Sequence, residues 1–176
     1  MTSADPVSLP DDDAPILPDW PVLARAALAD EAATDALAHR LARALEPGDT
    51  LLLSGALGAG KTHIARAVIR AWTDQPDEPV PSPTFTLVQT YATARAEIWH
   101  ADLYRLSDPQ ELAELGLDDV FGTALCLIEW PDRAAPDWPE GCLLHLDRCP
   151  DDARQATLTA RPGTAAAARL SKALEE

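Results

Sequence analysis

A chain of 176 residues, 47% of them hydrophobic, is most simply one domain with short extensions and is long enough to bury a real core. Its 29 acidic against 14 basic residues leave a net charge of -15, a surface that repels polyanions and excludes tight unaided binding to nucleic acid or anionic membrane. No apolar run approaches the roughly 20 residues of a membrane span, and the N-terminus is acidic where a secretory signal would be basic, so the expectation is a cytoplasmic protein with no membrane partner.

Residues 1–20 carry Asp5, Asp11, Asp12, Asp13 and Asp19 among Pro6, Pro10, Pro15 and Pro18. With so few apolar residues to offset the entropy of ordering, they read as a disordered acidic tail, with Trp20 and Leu23 against the domain edge. Asp30 is a fitting N-cap for an amphipathic helix to Leu45, in which Leu37, Leu41 and Leu45 recur every fourth residue. Pro47-Gly48-Asp49 ends it, and Thr50 to Ser54 is a buried strand.

That strand feeds Gly55-Ala56-Leu57-Gly58-Ala59-Gly60-Lys61-Thr62, the pattern G-x-x-x-x-G-K-[ST] in its strand, loop, helix setting. Glycines let successive backbone N–H groups turn inward toward an anion. Lys61 is then placed to reach terminal phosphates and Thr62 to ligate Mg²⁺, while the new helix offers its free N–H groups. The chain has only two lysines, Lys61 and Lys172, so a chance match is expected in roughly one such chain in a thousand.

The helix opened by Lys61 runs to about Trp72, and 73–83 is a Pro- and Asp-rich loop. Ser82-Pro83-Thr84-Phe85-Thr86 is an extended hydroxyl-bearing entry to a strand ending near Tyr91; it is either an ordinary strand entry or a segment in which Ser82 and Thr84 sense a γ-phosphate. A strand over 97–101 ends at Asp102, a short helix spans Asp108 to Leu115, and a buried strand over 124–128 ends at Glu129. Ligands of open α/β sheets bind outside the carboxyl ends of strands, so Asp102 or Glu129 could hold Mg²⁺ opposite Thr62, directly or through water. Trp130 is either a core aromatic or a lid beside the nucleotide. Residues 142–147 and 155–160 form an antiparallel hairpin, with Arg154 at the start of its second strand, and a short helix begins near Ala165.

These elements predict an α/β fold, a phosphate-loop NTPase-like mixed, mainly parallel sheet flanked by helices, with a nucleotide-binding domain over 21–163 and a C-terminal helix over 164–176. Cys126, Cys142 and Cys149 show no metal-ligand spacing, nor do the four histidines; buried reduced thiols are expected for the two cysteines in apolar runs. A phosphotransferase would share the phosphate loop but would need an Arg-bearing lid, for which the loops 73–83 and 131–141 supply only Arg133. No N-K-x-D pattern favours guanine.

Together with the phosphate loop, Ser82-Pro83-Thr84-Phe85-Thr86-Leu87-Val88, His100-Ala101-Asp102-Leu103-Tyr104-Arg105-Leu106 and Ile128-Glu129-Trp130-Pro131 resemble the TsaE (YjeE) family over about residues 28–160. That resemblance implies an Mg²⁺-dependent ATPase needed for threonylcarbamoyladenosine in tRNA, working with the TsaD and TsaB proteins and meeting tRNA mainly through them. It places ATP phosphates on Gly58, Ala59, Gly60, Lys61, Thr62 and His63, and Mg²⁺ on Thr62 and Glu129. By the same likeness Asp102 is the acid needed for hydrolysis, Ser82 and Thr84 belong to a switch-like segment, and positions near Asp30 and Arg154 flank the base. Ala56 and His63 depart from the family's usual residues, without removing a phosphate-facing N–H.

Overall fold

Two runs of apolar residues, Leu51–Leu53 and Leu125–Ile128, have no polar alternation because both of their faces are covered, and they become the two central strands of one sheet. The structure, a computed structural model, describes residues 18–106, 109–134, 138 and 141–176. The strands are β1 (Val22–Leu28), β2 (Thr50–Gly55), β3 (Val88–Tyr91), β4 (Ile98–Asp102), β5 (Leu125–Glu129), β6 (Cys142–Arg148) and β7 (Arg154–Ala160). The helices are α1 (Glu31–Ala44), α2 (Lys61–Thr73), α3 (Pro109–Glu114) and α4 (Ala167–Glu175).

The sheet order is β1-β7-β6-β2-β5-β4-β3. Strands β6, β2, β5 and β4 are parallel to their neighbours within this group. Both flanks are antiparallel, β3 on β4 at one side and β7 then β1 beyond β6 at the other. This is the mixed α/β sheet expected from the sequence, with the 142–147 and 155–160 hairpin in place.

Period-two alternation divides the core into two layers. Leu51, Leu53, Leu125 and Leu127 point to the face covered by α1, α2 and α4. Leu52, Cys126 and Ile128 point to the other, under Leu103, Leu106, Leu117 and Trp138. Helix α1 buries Leu37 and Leu41, and its C-cap Leu45 is buried with them; the Asp30 carboxylate accepts the Ala33 N–H at 2.8 Å. Trp72 closes the far end of α2 by donating from Nε1 to the Ala42 carbonyl at 3.0 Å, and the Arg95 guanidinium lies 3.8 Å over its ring. Arg169 pins α4 to the turn after α1 through two bonds to Asp49, at 2.9 and 2.8 Å.

Strand β1 was not foreseen. Its sequence, VLARAAL, is rich in alanine, a poor strand former, and only pairing along β7 makes it extended. Trp20 packs under the second layer and Leu23 against the first. The acidic segment read as a tail falls, through residue 17, outside the described residues, and so does Asp108, the expected start of α3. Helix α4 begins at Ala167 and buries Leu170, Ala173 and Leu174 in the first layer.

Two outcomes follow from this packing. Leu41→Ala, at a wholly buried position, should lower unfolding stability by about 2–5 kcal/mol in urea titrations. Cys126 and Cys142 are buried and Cys149 is exposed, and burial pushes the Cys142 thiol up to about 12, so the thiolate is absent at neutral pH. An aromatic disulfide reagent at pH 8 should therefore titrate Cys149 in the native protein and all three cysteines in denaturant.

Candidate functional site

The carboxyl ends of β2, β5 and β4 meet in register, Leu53 beside Glu129 and Glu129 beside Asp102. The loop after β2 is held close by sterics. Gly55 has φ 133°, and a β-carbon there would come within 2.4 Å of the Leu146 carbonyl oxygen on β6. Gly60 is the N-cap of α2 at φ 112°, and no side chain caps it. The first-turn N–H groups of α2 have no carbonyl one helical turn earlier to take them, and they open toward the loop.

Lys61 is only 4% exposed. Its ammonium donates to the Gly55 carbonyl at 2.6 Å and the Ala56 carbonyl at 3.0 Å, and it stands 3.6 Å over the Trp130 ring. Burial lowers its pKa, against the opposing pull of Glu129, Asp102 and Asp132. Glu129 is 1% exposed and Asp102 3%. The Thr62 hydroxyl donates to Glu129 Oε2 at 2.7 Å, and His100 Nε2 lies 2.8 Å from Glu129 Oε1. Asp102 Oδ2 accepts the hydroxyls of Ser82 at 2.8 Å and Thr84 at 2.7 Å, while its Oδ1 accepts the Tyr104 N–H at 3.0 Å. Lys61, Thr62, Ser82, Thr84, Asp102, Tyr104, Glu129 and Trp130 line one cavity of about 420 Å³.

The sequence-derived residues do not all stand in the same relation to that cavity. Gly58, Gly60, Lys61, Thr62, Ser82, Thr84, Asp102, Glu129 and Trp130 line it together. Ala59 is wholly buried behind the loop, where its carbonyl accepts Arg154 Nε at 2.9 Å; Arg154 thus buttresses the loop as well as lining the cavity. His63 lines the wall, but its Nε2 is 2.6 Å from Asp35 Oδ1, tying the start of α2 to α1. Asp30 caps α1, and the next turn presents Glu31 and Thr34 to the cavity. Trp130 is half-buried, packing against the second core layer and covering Lys61, with the Tyr104 ring tilted at 48° to it and 4.9 Å away between ring centres.

A profile of the family described as "Threonylcarbamoyl adenosine biosynthesis protein TsaE" matches residues 28–156. The chain belongs to the TsaE family. A Rickettsia felis protein named tRNA threonylcarbamoyladenosine biosynthesis protein TsaE is 45% identical over 60% of this chain and 61% of its own length. A Rickettsia bellii protein of the same name is 38% identical over 73% of this chain and 90% of its own. For the Bacillus subtilis protein of that name the figures are 37%, 72% and 79%. The chain thus spans about three-fifths of the length of the Rickettsia felis protein, at 61%, and of a Rickettsia conorii protein of the same name, at 58%. The crystal structure of Bacillus subtilis YdiB superposes with a TM-score of 0.68 at 28% identity, covering 86% of this chain and 93% of that one.

Within this TsaE fold, sequence reasoning assigned no site role to His100, Tyr104, Leu57 or Glu31. One signal was available for His100: it stands two residues before Asp102 on a strand, hence on the same face. The Ser82–Leu87 segment hangs on Asp102, with Leu87 at φ 63° and its carbonyl taking the Asp102 N–H at 2.9 Å. Asp102→Ala should therefore speed amide hydrogen exchange across 82–87 by tenfold or more, a hydrogen bond to a charged group being worth about 1.5–3 kcal/mol. Exchange in β6, read by mass spectrometry in the same sample, should not change.

Proposed function

We propose that this chain binds ATP with Mg²⁺ and hydrolyses it to ADP and phosphate in the service of tRNA threonylcarbamoyladenosine biosynthesis, acting with TsaB and TsaD proteins. The observation that carries the reading is the 2.7 Å pairing of the Thr62 hydroxyl with Glu129 at the foot of a glycine-bounded loop that also holds Lys61. Membership of the TsaE family and the names of its relatives supply the pathway.

The donor set fits magnesium. A hydroxyl and a carboxylate, both hard oxygen donors, converge at one point, and Mg²⁺ commonly takes one or two protein ligands and completes its shell with phosphate and water. Thr62 and Glu129 would hold it, and there it would neutralise charge on the β- and γ-phosphate oxygens. Lys61 and the N–H groups at the start of α2 would cradle the phosphates, with Gly58 and Gly60 keeping the loop clear of side chains. Asp102 is the group to orient or deprotonate the attacking water. Its Oδ2 already accepts Ser82 and Thr84 and its Oδ1 the Tyr104 N–H, which leaves one acceptor site on Oδ1 for the water and ties the same carboxylate to the 82–87 segment. A body with a net charge of -15 is suited to docking on a protein and to meeting tRNA through it.

ATP turnover measured with TsaB and TsaD present should fall by about 10²-fold or more in both Lys61→Ala and Glu129→Ala, the scale seen when a charge-stabilising group is removed from an active site. Wild-type turnover in both variants would overturn the assignment.

A further inference from the structure

We propose that His100 is a positioning residue for the metal site: its ring N–H holds the Glu129 carboxylate so that the opposite oxygen faces Thr62. The inference rests on the magnesium reading above and deepens it. Strand β4 alternates Ile98, His100 and Asp102 onto the face that carries α2, and its register sets Asp102 beside Glu129. The imidazole is wholly buried, with Nε2 2.8 Å from Glu129 Oε1. Thr62 donates to the other oxygen, Oε2, so the two donors fix both the position and the rotation of the carboxylate plane.

The remaining ring nitrogen makes the case specific. Nδ1 is buried and finds no hydrogen-bond partner. A buried nitrogen left unpaired costs stability that a leucine at the same place would not, so packing alone does not account for a histidine here. The service that offsets the cost is the bond at Nε2. A cation ligated by a lone pair of the Thr62 hydroxyl would draw on the same two residues, and His100, bound to the far oxygen, keeps Glu129 aimed whether or not the Thr62 bond to Oε2 persists. Donors that orient a ligating carboxylate in this way commonly alter metal affinity by about 10–100-fold.

The test uses the full chain, Mn²⁺ as the metal probe and ADP as the nucleotide, with free Mn²⁺ counted by electron paramagnetic resonance and ADP affinity measured separately in EDTA. His100→Leu should weaken Mn²⁺ binding in the presence of ADP by about tenfold or more. Its ADP affinity in EDTA should stay at the wild-type value. His100→Gln, whose side-chain N–H reaches the place of Nε2, should restore most of the Mn²⁺ affinity; His100→Asn, too short to reach, should not. Wild-type Mn²⁺ affinity in the Leu variant overturns the proposal, as does a loss shared equally by Gln. Should the Leu variant fail to fold, the Gln and Asn pair decides, and equal affinities in the two overturn it. Failure of the underlying reading is visible without any variant: the wild-type protein would then bind ADP equally with and without Mn²⁺.

Discussion

One cation and two carboxylates buried together at the tips of three strands are the constraint on which this molecule is built. Lys61, Asp102 and Glu129 are each less than 5% exposed, at 4%, 3% and 1%. Burying a charge is expensive unless it is paired and hydrogen-bonded, and removing one member of such a set typically costs about 3–5 kcal/mol. Every polar neighbour here serves that requirement. Two backbone carbonyls and an indole face take the ammonium, and hydroxyls, an imidazole and a backbone N–H take the carboxylates. The central strands are buried on both faces to present those tips in register, and α1, α2 and α4 cover one of those faces.

The cost of the arrangement reappears as backbone strain. Leu87 and Trp130 both occupy the left-handed region, at φ 63° and 57°, where a side chain costs of order 1–3 kcal/mol. Each is fixed from outside. Leu87 donates its N–H to the Pro83 carbonyl at 2.6 Å, and Trp130 donates to the Leu53 carbonyl at 3.1 Å. The second contact continues the β2–β5 ladder one residue past Glu129 and swings the indole over Lys61. These two join the strand tips to the rest of the site, whereas Asp74, Asp151 and Asp152, also at positive φ, lie in turns elsewhere.

Much of this was legible in the sequence because local signals and the fold agree. The loop motif, the four-residue leucine spacing of α1, the Asp30 cap and the acids ending two strands each carry their meaning within about ten residues. Other parts depend on contacts far along the chain. The alanine-rich β1 is a strand only because β7 runs beside it, 126 residues on in the pairing of Leu28 with Arg154. His63 has the position of a phosphate-loop residue, but its ring goes to Asp35, on a helix that precedes it by 28 residues. Trp130 packs against the second core layer and also lines the cavity, at a positive φ that no propensity of tryptophan announces.

The two departures from the family's usual loop residues bear on what that loop must be. Ala56 contributes its carbonyl to Lys61, a bond that any residue's backbone supplies, so the side chain there is free to vary. His63 instead spends its side chain on α1, and the same helix brings Glu31 and Thr34 to the cavity wall. The anion binding proposed for the loop would rest on main-chain geometry, fixed by the contact of Gly55 with β6 and the turn at Gly60, and not on those side chains. A loop shaped by its backbone tolerates substitution around it, while the charged tips of β4 and β5 do not: Glu129 is held by Thr62 and His100, and Asp102 by Ser82, Thr84 and the Tyr104 N–H.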